Sequence, residues 1–199
     1  MNEYPWYEEV SVTAPLTQGD IIESCPVLVF DTISNLAEIQ NDDEYAERLK
    51  ESIAVETDRV IVMTQACDLE QNKVRNVILC PAYIEATYHS QWKEVQDRNG
   101  QKSNSETWRR FLNDVKNGHK WNLALIQSRF EGNVQTPLQI VDFHEVLSLP
   151  RDFLEAWIRK SGNERLRVLP PYREHLSQAF ARFFMRVGLP QDVQISNLS

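Results

Sequence analysis

Residues 59–70 read RVIVMTQACDLE, and residues 76–83 read NVILCPAY. Each holds a short, unbroken apolar run, and a polar loop joins them. Runs of this length bounded by polar turns are strands, and runs without polar alternation are strands buried on both faces. The pair therefore predicts adjacent strands of a small barrel or sandwich. The first run ends unusually. Ordinary surface turns stop at Gly, Pro or Asn, whereas this strand stops at Thr64, Gln65, Cys67 and Asp68. Each of these can bind or react, so with Asp20 they form a candidate loop pocket.

Working outward, Gln18, Gly19 and Asp20 mark a turn, and residues 21–30 read as a strand interrupted near Pro26. The segment NDDEYAERLKESI at 41–53 has acids in front and its lysine behind, as the helix dipole favours. Tyr45, Leu49 and Ile53 recur every four residues, predicting a short amphipathic helix inserted between strands. Residues 82–96 continue as helix, and DRNGQKSNS at 97–105 is loop. Ser105 caps a helix that puts Trp108, Phe111, Leu112 and Val115 on one face and stops at Gly118. WNLALIQ at 121–127 and LQIVDFHEVLSLP at 138–150 read as one strand each. A helix from Pro150 to Gly162 follows, then a short extended piece, ERLRVL. Pro170 and Pro171 open a Phe-rich helix carrying Tyr172, Leu176, Ala179, Phe180, Phe183, Phe184 and Val187, ended by Gly188 and Pro190.

The chain has 199 residues, 42% hydrophobic and 25% charged, which suits one domain with a sizeable core. The expected division is a barrel core over residues 14–148 and a helical part over 149–190, within a single domain 1–199. No apolar run has the length of a membrane span, and the start MNEYPWYEEV lacks the pattern of a secretory signal, so a cytoplasmic location is expected. Net charge is −8. Residues 1–57 hold 13 acids against two bases, Arg48 and Lys50, while residues 58–199 hold 16 acids and 19 bases. The totals contain no broad basic face for nucleic acid. The acidic first part suits a basic protein partner, or covers the basic part of its own chain.

Cys25, Cys67 and Cys80 are odd in number and form no CxxC pair. With His119 they make an imaginable zinc set, but three small buried thiols are the simpler expectation. No metal and no cofactor are expected. Cys67 as nucleophile needs an electropositive setting, and Asp68 and Glu70 supply the wrong sign. The simpler reading has Asp68 capping the turn and Cys67 packing inward. His119, at a helix-to-strand corner beside Lys120 and Trp121, faces either solvent or a phosphate. Arg159, Arg165, Arg167, Arg173, Arg182 and Arg186 either form a phosphate-reading patch with Trp157 and Tyr172 or pair with Glu155, Glu164, Glu174 and the acidic N-terminal third.

The order QGDII, CPVLVF, VIVMTQACDL, NVILCPAY resembles the MazF/PemK-like family, the SH3-like barrels of bacterial toxin–antitoxin systems. It spans roughly residues 14–85, with Gly19 and Asp20 leading the first strand and Cys80 and Pro81 at a later corner. The resemblance implies an α+β fold: a small antiparallel SH3-like β-barrel with an inserted helix and packed C-terminal helices. It also implies metal-independent cleavage of single-stranded RNA; for a ribonuclease whose site has moved in this chain, the candidate catalytic residues are Thr64, Gln65, Asp68 and His119, with arginines from the C-terminal part. Two departures count against that activity. Tyr83 stands where family members carry a small hydroxyl residue, and the insert between the first barrel strands is acidic where phosphate calls for positive charge. The preferred expectation is a non-catalytic barrel that binds another protein in a toxin–antitoxin, defence or regulatory system, with RNA cleavage as the alternative.

Overall fold

The structure is a computed structural model that describes residues 4–30, 39, 41–132 and 134–185. Its strands are β1 (Tyr7–Val10), β2 (Asp20–Phe30), β3 (Ile53–Val62), β4 (Asn76–Ile84), β5 (Leu123–Ile126), β6 (Arg129–Glu131), β7 (Val134–Thr136), β8 (Gln139–Asp142), β9 (Leu147–Pro150) and β10 (Arg165–Val168). Its helices are α1 (Asp42–Glu51), α2 (Ala66–Glu70), α3 (Glu85–Arg98), α4 (Ser105–Lys116), α5 (Arg151–Ser161) and α6 (Tyr172–Phe184). One antiparallel sheet runs β1-β10-β2-β3-β4-β8-β5, with β9 also on β4, and β6 and β7 form a separate hairpin.

The two apolar runs lie side by side, Val60 opposite Pro81, Ile61 opposite Cys80 and Val62 opposite Leu79. Their unbroken hydrophobicity has a direct cause. Val60 and Val62 face a cluster with Leu154 and Ile158 of α5, while Ile61 and Met63 face a second cluster with Leu176 of α6. A strand with a core on both sides has no solvent face to mark with polar residues. Each such aliphatic side chain contributes about 1.5–3 kcal/mol on burial. A third cluster, around Trp108, Val115, Leu123 and Ile140, joins α4 to the far end of the sheet.

The sheet curls but does not close, which corrects the expectation of a closed cylinder. Its edge strands, β1 and β5, share no ladder. Tyr7 and Ile126 nevertheless belong to one buried cluster, and the Tyr7 hydroxyl donates to the Gln127 carbonyl. Both edge strands are only four residues long, and after Ile126 the chain departs into the β6–β7 hairpin.

Several local expectations also change. The interruption in β2 falls at Ser24, whose φ is +49°, within a bulge between Ile22 and Cys25. Pro26 itself sits in the strand opposite Thr57, beyond the end of the ladder to β10, an edge position of the kind proline tolerates. Residues 138–150 make two strands: β8 pairs with Ala82, Tyr83 and Ile84, β9 with residues 76–79 of β4, and an excursion at 143–146 separates them. α1 is capped by Asn41, whose side chain accepts from the amides of Asp43 and Glu44, but it buries no residue, and Ile53 belongs to β3. α3 extends through Arg98, and the cap of α4 is Asn104. In α6, Tyr172, Leu176, Ala179, Phe180 and Phe183 pack on the sheet, whereas Phe184 is exposed. Val187, Gly188 and Pro190 lie outside the described residues. Among the described residues, no helix is long and apolar enough to cross a membrane.

Candidate partner-binding surface

The polar end of β3 is first a structural joint. Thr64 is buried, and its hydroxyl accepts the Ile78 amide at 2.7 Å, locking the strand end to β4. Gln65 precedes the short helix α2. The Cys67 thiol is exposed, directed at Gln65 Oε1 (3.7 Å) and Asp68 Oδ1 (3.8 Å). This corrects the expectation of an inward-packed Cys67 among three buried thiols; only Cys25 and Cys80 are buried. Nor does the Asp68 side chain cap the turn. Its backbone does that work, the Asp68 carbonyl accepting from the Lys73 amide at 2.9 Å. Gln65, Cys67 and Asp68 thus meet one another, with acceptors around the thiol rather than cations.

Asp20 lies elsewhere, in a built ionic hub. It is fully buried and accepts from Arg165 Nε at 3.2 Å, from Arg167 Nε and Nη2, and from the Thr17 amide. Arg167 also reaches Glu8 at 3.3 Å. These bonds place Arg165 and Arg167 in pairs with the acidic N-terminal third. Gly19 allows the turn: its φ is +85°, and a Cβ there would meet the Val168 carbonyl oxygen at 2.9 Å. His119 is exposed beside Asp114, ahead of β5, the third strand beyond β3 in the sheet order. It makes no hydrogen bond or ion pair with Thr64, Gln65 or Asp68 among the described residues. The remaining arginines are engaged too: Arg159 with Glu155, Arg173 with Glu174, and Arg182 over the Trp121 ring at 5.3 Å. Arg186 lies outside the described residues. Among the described residues no group of three or more His, Cys, Asp or Glu is placed to hold a metal ion.

A different surface stands out by its chemistry. Beyond the bulge, β2 and β3 continue as a two-stranded ribbon, with Leu28 opposite Val55 and Phe30 opposite Ile53. Directly opposed residues share a face. On the inner face Cys25 and Val27 are buried and Val29 packs against the same cluster. On the outer face Leu28, Phe30 and Val55 are 56%, 64% and 69% exposed, and Ile53 is 38% exposed. Four large apolar side chains thus form one contiguous patch that nothing among the described residues covers. Scattered surface hydrophobes need no explanation, but a paired cluster rimmed by charge marks an interaction site.

The rim is acidic. α1 enters β3 through the single residue Ser52 and carries Asp42, Asp43, Glu44, Glu47 and Glu51 against Arg48 and Lys50. A helix that buries nothing gains no packing energy from the core, and its charged faces stay open to a partner. The sequence pattern at 45, 49 and 53 concealed this, because it read an apolar stripe where the third residue belongs to the ribbon. The ribbon's own signal was the apolar CPVLVF run opposite IAVET, legible only once the register is known.

Comparison with protein-family models, with curated proteins and with solved structures gives no match to the chain.

Proposed function

We propose that this chain is a protein-binding module whose outer ribbon face, Leu28, Phe30, Ile53 and Val55, receives a partner. The observation that carries the reading is that patch of four opposed apolar side chains on the ribbon, exposed among the described residues. The acidic α1 beside it defines the partner: a protein surface with an apolar ridge flanked by Lys or Arg. The apolar contact supplies affinity, and the charges supply orientation and on-rate. A toxin–antitoxin, defence or regulatory setting in a bacterial cytoplasm is proposed with it, on the sequence resemblance alone; the curled sheet is then read as an opened relative of the SH3-like barrel. Cleavage of RNA ranks below this reading, since it would need cations around Thr64, Gln65 and Asp68, where the thiol of Cys67 faces two oxygen acceptors.

The test is capture from native extract on wild-type protein and on the Leu28→Asp, Val55→Asp double variant. A stoichiometric partner with a basic surface, retained by wild type, lost by the variant and weakened by salt of about 0.5 M, supports the proposal. A partner held equally by both proteins, or none on either, overturns it.

A further inference from the structure

Where the sheet fails to close, it leaves a cleft of about 640 Å³. One lip carries Trp6 and Val168, the other the free edge of β5, and Leu176 and Ala179 of α6 form the roof. The volume falls in the range of small-molecule sites, and such sites have apolar walls with a few convergent polar groups. This one has apolar walls with a few polar groups among its lining. The β5 lip comprises Leu123, Ala124, Leu125 and Ile126, and the charged or titratable side chains along the lining are Lys116, Tyr172, His175 and Arg182. In a chain of net charge −8 with 29 acids, no Asp or Glu is among the lining residues described. Lys116 and His175 take no ion pair among the described residues, and Arg182 rests on the Trp121 ring rather than on a carboxylate. The cationic Lys116 and Arg182 beside an apolar wall attract a negative head joined to an apolar body.

We propose that the seam cleft binds a small amphipathic organic anion, its apolar body lying along β5 and its carboxylate meeting Arg182, Lys116 and His175. The site is separate from the ribbon and does not rest on the partner-binding reading. The probe is decanoate, with decanol as the control that keeps the tail and removes the charge. Titration by calorimetry and by amide chemical shifts should give saturable binding with Kd below about 100 μM, with shifts concentrated in β5 and α6. Decanol should bind about tenfold more weakly or worse. Arg182→Gln, an exposed substitution that leaves the core untouched, should weaken decanoate about tenfold while leaving decanol unchanged. Absence of saturable decanoate binding up to about 1 mM, equal binding of decanol, unchanged affinity in Arg182→Gln, or shifts confined to the ribbon would each overturn the proposal.

Discussion

At the scale of single residues, burial decides what the reactive groups can do. Burial, helped by Asp142, pushes the Cys80 thiol up to about 12, and burial, helped by Asp58, does the same for Cys25. At pH 8 roughly one such thiol in ten thousand is a thiolate, the form that reacts. An aromatic disulfide reagent should therefore label one thiol promptly, Cys67, and two more only after denaturation; three prompt equivalents would contradict the fold. The shift has a stability consequence of definite sign. A folded-state value raised from 9.0 to about 12 gives a contribution that is complete below about pH 9 and lost as pH rises towards 12. Urea midpoints should fall over that window, and less steeply in Cys80→Ala. Asp20 shows the opposite use of burial. Asp20→Asn keeps the side chain's shape but strips the counter-charge from Arg165 and Arg167. Breaking such a buried pair costs about 3–5 kcal/mol, measurable by chemical denaturation. Adding Arg165→Met should recover part of the loss; a cost under about 1 kcal/mol would mean the hub is solvated.

At the scale of elements, legibility followed the source of each signal. β3 and β4 were readable because a strand with a core on both faces is apolar at every position. α4 and α6 were readable because each buries one stripe at helical spacing. β1 and the β6–β7 hairpin were missed: they are three or four residues long with mixed burial, too short for a period to show. The ionic hub was hidden for another reason. Asp20 was seen as a turn residue because its partners, Arg165 and Arg167, stand about 145 positions away, and no local pattern records them. The ribbon patch likewise exists only through the register of two strands separated by α1. Its outer residues support no core, so Leu28→Thr with Val55→Thr should shift stability by no more than about 0.5 kcal/mol by chemical denaturation. A larger loss would show that the face is covered, and would withdraw it as a docking surface.

At the scale of the whole molecule, the acidic N-terminal part and the basic remainder are stapled together, Asp20 and Glu8 to Arg165 and Arg167. That settles a choice the totals left open for these residues: part of the acid covers the chain's own base, while the acids of α1 remain outside. The same wrapping brings β1 against the exit of β5, where Tyr7 does in one bond what a barrel does with a ladder. Its hydroxyl donates to the Gln127 carbonyl, and Arg129 Nη1 reaches the Tyr7 carbonyl at 3.4 Å. Burial holds the Tyr7 phenol well above its ordinary range, so it stays a protonated donor at neutral pH. Tyr7→Phe removes that bond and little else. It should cost about 1 kcal/mol in global stability. If the bond is what holds the seam, amide exchange should quicken in β5, the edge strand, before it quickens in β3, which lies between two cores. Equal acceleration in both strands would mean that the edges are not held at this point, and that α6 alone keeps the sheet curled.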